Sequence, residues 1–149
     1  MSQSNALPSL FGRFTAILQD HEHLAKTLRR LRLMCASLEN GHNLLPEELD
    51  PGILMTALRA NLAEHFAAEE SPAYFGTVIS EAPALATQVA GLKREHLTML
   101  RSVDVLSELT ADRARWRELP SPTRELISQL ECHERSESAL LRGMFQQGE

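Results

Sequence analysis

Four histidines, His21, His65, His96 and His133, each interrupt an otherwise aliphatic seam, and two glutamates, Glu69 and Glu137, follow two of them at a spacing of four. A buried imidazole costs free energy unless its nitrogens find partners. On a helix, a spacing of four puts each glutamate on the face of its histidine, one turn further on. No lysine or arginine occupies a seam position that would pair with these acids. Imidazoles and carboxylates facing inward together form a metal ligand set. It suits iron, zinc or manganese better than calcium or magnesium. Two carboxylates at one level can each bridge two metals, so the ligand count suits a two-metal site with open positions for a small ligand. One cation held by four histidines, with the acids nearby, is the simpler alternative. The H-x-x-x-E spacing alone carries little, because a chain this rich in glutamate produces such pairs by chance. The weight lies in the whole pattern of one seam histidine per helix. His23 points nearly opposite to His21, and His42 falls in a connection, so both stay outside the set.

The elements that must position these residues are helices. Leu10, Phe14, Ile17, His21, Leu24, Leu28, Leu31, Cys35 and Leu38 alternate at spacings of four and three, the period of an amphipathic helix. Asn40-Gly41 ends it, since both residues tolerate a left-handed conformation. Asp50-Pro51 predicts the next start, a capping side chain followed by a first-turn proline. That helix shows Leu54, Leu58, Leu62, His65 and Glu69 on one face, and Pro72 should end or kink it, with a weak continuation to about Ser80. A third helix begins near Pro83 and carries Leu85, Val89, Leu92, His96, Met99, Val103 and Leu106, fading before Thr110. Ser121-Pro122 predicts the fourth start, and Leu126, Leu130, His133, Glu137, Leu140 and Met144 form its seam to about Gly148.

Such helices with short connections pack as an all-α, antiparallel up-down four-helix bundle. The expected organisation is a disordered lead over residues 1–9 and a single bundle domain over 10–147. Counted from the expected helix ends, all four imidazoles fall within about one turn of a common level. Helices two and four then run parallel, so Glu69 and Glu137 lie on the same side of the histidines.

Composition narrows the class. The chain has 149 residues, 15 basic and 20 acidic, for a formal charge of −5. That argues against nucleic acid or an anionic membrane surface as partner. No apolar run approaches a membrane span. The N-terminal residues lack the basic start and apolar stretch of a secretory signal, and two cysteines form no disulfide framework. The expected location is the cytoplasm. Aromatic residues make up 5%, so the core should be aliphatic. No obvious exposed apolar stripe is expected, although Phe66, Tyr74 and Phe75 around Pro72 could form one. Cys35 reads as a small buried hydrophobe, Cys132 as inert beside His133, and Trp116 as packing over the bundle end.

These residues resemble the hemerythrin-like family, the HHE cation-binding domain. The motifs are DHEHL with His21, HFAAEE with His65 and Glu69, REHLTML with His96, and HERSE with His133 and Glu137. The resemblance covers about Leu10 to Gln146. It implies an up-down four-helix bundle holding two non-haem iron ions, bridged by carboxylates, with zinc or manganese as less favoured occupants. It implies a small diatomic or peroxide ligand: dioxygen, nitric oxide or peroxide, bound or sensed, or a response to iron itself. The sequence departs from the five-histidine set of the oxygen carriers, because the residues four either side of His96 are Leu92 and Leu100. Glu70, Glu64 or water are the candidates for that position. Two other readings are a metal-free helical interaction module, whose polar layer fixes helix register, and a di-iron enzyme of peroxidase-like or metal-repair type. A protein partner or homodimer is compatible with all of them.

Overall fold

A computed structural model describes residues 22–42 and 44–147, the side chains of 145–147 excepted. The described residues contain no strand. Residues 22–39 form α1. A short 3-10 turn, Glu47–Leu49, leads into α2, Pro51–Glu70. A π-helical turn, Pro72–Gly76, and a short α3, Thr77–Glu81, follow. After a 3-10 turn at Pro83–Leu85 come α4, Ala86–Thr110, a third 3-10 stretch, Arg113–Glu118, and α5, Pro120–Gln147. The start of the first helix, with His21, and the expected lead over 1–9 lie outside the described residues, as does Gly148.

The punctuation behaves as its chemistry requires. Gly41 adopts φ +79°, the left-handed conformation that lets α1 stop without a Cβ clash. The Asp50 carboxylate accepts from the Ile53 amide at 3.1 Å, satisfying one of the donors left over at a helix start. Pro72 breaks α2 one residue past Ser71, whose backbone is extended. The last helix starts before the predicted Ser121: the Thr123 amide already bonds to the Leu119 carbonyl at 3.0 Å. Both Pro120 and Pro122 fit there, because first-turn amides have no intrahelical partner to lose. Two short 3-10 stretches fill what the sequence read as plain connections. Trp116 closes one of them, its indole N–H donating to the Thr110 carbonyl at 3.0 Å while its ring packs against the core.

The seams predicted from periodicity are the buried faces. Leu28, Leu31 and Cys35 of α1, Leu58 and Leu62 of α2, Met99, Val103 and Leu106 of α4, and Leu126 and Leu130 of α5 share one apolar cluster. A second cluster joins Tyr74, Phe75, Val78, Leu85, Val89, Leu92, Leu140 and Met144. The polar residues discussed next lie between the two. The surface pairs Arg32–Glu131 and Glu39–Arg124 tie α1 to α5, and Arg59–Asp104 ties α2 to α4. Exposed pairs of this kind add little stability, but they fix which faces meet. No helix among the described residues is long and apolar enough to cross a membrane.

The aromatic residues around Pro72 form no exposed stripe. Phe66, Tyr74 and Phe75 are 2%, 1% and 0% exposed. The π-helical turn after Pro72 is wider than an α-helical turn, and it sends two consecutive aromatic rings inward. The core is therefore aliphatic through most of its length but aromatic at this level.

Candidate metal centre

Three helices converge on a polar layer. His65 and Glu69 come from α2, His96 from α4, and His133 and Glu137 from α5, and all five are buried. The spacing of four does what the sequence predicted: each histidine and its glutamate share an inward face. His21, the fourth histidine expected in the set, lies outside the described residues. His23 and His42 are exposed, in keeping with their omission from the set.

The ligating atoms are close together. His96 Nε2 stands 3.1 Å from His133 Nε2 and 3.5 Å from Glu69 Oε1. His65 Nε2 stands 3.1 Å from the same oxygen of Glu69. His133 Nε2 lies 3.9 Å from Glu137 Oε2. Two overlapping groups result, Glu69 with His96 and His133, and His65 with Glu69 and Glu137, each with its ligating atoms within 4.8 Å of one another. Glu69 belongs to both. Metal–nitrogen and metal–oxygen bonds of about 2.0–2.2 Å place neighbouring ligands of one ion about 3 Å apart, so the observed spacings fit donor atoms around shared cations. Both Glu69 oxygens are buried without a hydrogen bond of good geometry, a costly state for an acid unless something else satisfies it.

The outer edges of the imidazoles point the same way. His96 Nδ1 meets Glu70 Oε2 at 2.8 Å, and His133 Nδ1 faces Glu95 Oε2 at 3.5 Å. With the His96 Nδ1–H given to Glu70, the His96 Nε2 lone pair points at His133 Nε2, and a cation between the two nitrogens makes that favourable. Glu70 therefore suits the His96 tautomer that a cation needs. Glu70 is engaged on the outside of His96, and Glu64 is exposed on the surface, so neither offers an oxygen to the inner face. Phe66 stacks flat on the His96 ring, 3.9 Å between centroids and 9° between planes, and closes that side of the layer.

The electrostatics of the pair are unequal. Burial pushes the Glu69 carboxyl up, but the His65 and His96 imidazoles beside its Oε1 outweigh it and hold Glu69 well below the usual carboxylate range. Burial and the neighbouring charge of Glu69 push Glu137 far above it. Two carboxylates this close share a proton, as like charges in a dry site must. Burial likewise drives His133 toward its neutral form, the form that binds metal.

Residues 13–145 match the Hemerythrin HHE cation binding domain. The chain belongs to the hemerythrin family. No curated protein and no solved structure matches it. The family's description as a cation-binding domain and the buried imidazole–carboxylate layer agree, so metal binding by this hemerythrin domain rests on both sequence and geometry.

Glu95, Phe66 and Tyr74 were not legible as parts of this layer, and Glu70, read as a candidate inner ligand, instead meets His96 from the outside. Glu70 and Glu95 each adjoin a site residue in sequence, but each serves the histidine of the next helix, and only the packing shows that. Partners of this kind are worth about 10–100-fold in metal affinity. Glu70→Gln and Glu95→Gln should each weaken metal binding by about that factor in a competition titration against a chelator. Unchanged affinity in both variants would mean that these carboxylates are bystanders.

Proposed function

We propose that this hemerythrin domain is a non-haem di-iron protein that binds or senses dioxygen or a related small oxidant, peroxide or nitric oxide, or iron. The observation that carries the reading is the pair of buried ligand groups sharing Glu69. His96 and His133 would hold one ion and His65 and Glu137 the other, with Glu69 between them. His21, from the same expected seam of the first helix, is assigned to the site on its sequence position. Iron supplies the reversible one-electron chemistry and the open coordination needed to take a small oxidant. The chain's own contribution is positional: it fixes ligand number, sets the His96 tautomer through Glu70, places the Glu95 carboxylate near His133, and keeps bulk water out with Phe66 and the two apolar clusters. The antiparallel up-down course of the four long helices belongs to this reading, supported by pairs such as Arg32–Glu131 and Glu39–Arg124, where rising numbers in one helix meet falling numbers in the other. So does a cytoplasmic setting, where both cysteines stay free, as they are here.

The test is elemental analysis of protein expressed in iron-replete medium and never exposed to chelator or a nickel column. The reading expects about two irons per chain, the number its two ligand groups can hold. One zinc per chain would keep the site and remove its redox function. A folded chain that contains no metal and takes none up afterwards would leave a register-fixing polar layer and sink the proposal.

A further inference from the structure

Glu95 joins the surface to the buried layer. Its side chain is 46% exposed, yet its Oε2 stands 3.5 Å from Nδ1 of His133, a side chain only 2% exposed. The corresponding contact on the other ring is closer: Glu70 Oε2 lies 2.8 Å from His96 Nδ1. His133 Nδ1 has no hydrogen bond of good geometry, so Glu95 faces it without being tied to it. Glu95 also lines a concavity of about 390 Å³ between α4 and α5. The buried Leu92 and Leu140 form its floor, and the small, exposed Ser136 and Ala139 form its α5 rim. Among the described residues that line it, Glu95 is the one that carries a charge. A second concavity shares Glu95 but is lined by the basic Arg94 and by Thr98. Other described walls of the layer are closed by rings. Phe66 and Phe75 lie nearly parallel to the His96 imidazole, 3.9 and 6.0 Å between centroids, and the buried Tyr74 stands against Glu137.

We propose that the α4–α5 groove beside Ser136 and Ala139 is the port through which divalent metal ions enter and leave the centre, with Glu95 as the receiving carboxylate and His133 as the residue that passes the ion inward. This rests on the metal-binding reading above. A single carboxylate over an apolar floor draws a cation and repels an anion. His133 turns Nδ1 to Glu95 and Nε2 to the layer, so rotation of one ring carries a donor nitrogen from the groove side to the inner side. The small side chains of Ser136 and Ala139 leave room for that rotation. Arg94 opposes the same passage from the second concavity.

The test follows iron(II) into the metal-free full chain under nitrogen by stopped flow, with a weak chelating dye reporting free ion, and then follows its removal by excess chelator. The variants S136F and A139F fill the groove, and T98F fills the Arg94 side as a control. S136F and A139F should slow loading and removal alike by about tenfold, the mark of a raised barrier on an unchanged site. Their iron content at equilibrium should stay that of the parent, and T98F should keep both parental rates. Glu95→Gln should slow loading in the parent and add little in the A139F background, because both changes act on one passage. Parental rates in both filled variants overturn the proposal. So does T98F as slow as A139F, or faster removal with lower iron content, which would mean a damaged ligand set. Equal slowing by Glu95→Gln in the parent and in A139F would place Glu95 off the route and overturn it as well. Should one filled variant fail to fold, the other carries the test; failure of both to fold without metal would mean that the groove is packing space, and overturns it too. A parent that takes up no iron fails the metal-binding reading itself, a result visible before any variant is compared.

Discussion

Glu69→Ala is expected to abolish paired iron binding, and Glu137→Ala to leave about one iron per chain, because Glu69 belongs to both ligand groups and Glu137 to one. The difference follows from the geometry around each acid. His65 and His96 both approach Oε1 of Glu69, so its loss takes a donor from each cation position at once. Loss of Glu137 leaves Glu69, His96 and His133 together. Iron analysis after equilibration against a weak chelator reads the effect directly.

Stability measurements on the metal-free variants separate this from general damage. Removing Glu69 takes the acid beside His65 and His96 and removing Glu137 takes the acceptor of the Tyr74 hydroxyl, so each metal-free variant should lose about 1–3 kcal/mol, the cost of leaving a buried polar group unsatisfied. Leu62→Ala, one turn from the layer, is the opposite control. It should cost about 2–5 kcal/mol of stability, as deletions of buried leucine do, while sparing the ligand set. His23→Ala should change neither stability nor iron content, since that side chain is exposed. Full iron and the parent's spectrum in both glutamate variants would mean that the cations sit elsewhere.

The fold and most of the site were readable because both are written in periodicity. The alternation of four and three that exposes Leu24, Leu28, Leu31, Cys35 and Leu38 as a seam also exposes His65, His96 and His133 as interruptions of the seams beyond it, and these residues are buried. The Asp50-Pro51 start and the Gly41 stop carried their own chemistry. What escaped was whatever depends on the turn between seams. Pro72 announced a break but not its shape. The wide turn that follows puts Tyr74 and Phe75 in the wall of the site rather than on the surface, and no residue pattern encodes that rotation. The places of Glu70 and Glu95 on the outer sides of His96 and His133 escaped for a related reason. Their period places them on the rim of a helix, and a rim residue acquires a role only from the neighbouring helix. One-dimensional patterns report what a helix does with its own faces; the outer partners of the histidines are set by the packing between helices.

Metal loading should raise the unfolding temperature of this chain by about 8–16 °C when free metal exceeds its dissociation constant a thousandfold, since that excess is worth about 4 kcal/mol in the folded state and a domain of this length moves about 2–4 °C per kcal/mol. The physical source is the polar layer. Without a cation the buried acids share a proton, with Glu69 held ionised by His65 and His96 and Glu137 pushed toward its neutral form, and Glu69 has no hydrogen bond of good geometry to either oxygen. A cation replaces that proton and satisfies the lone pairs that face inward. The unfolded chain keeps its histidines and cysteines and still binds metal weakly, which makes the observed shift smaller than the ideal one. Calorimetric scans with iron(II) under nitrogen, with zinc, and with excess chelator read the size of the effect. A polar layer that serves only to fix helix register predicts the same unfolding temperature in all three. Stabilisation by zinc as large as that by iron would keep the cation site while removing selectivity from the protein, placing the choice of iron with the cell's supply. Loss of the shift in Glu69→Ala, with retention in His23→Ala, would locate the stabilisation in the layer between the two apolar clusters.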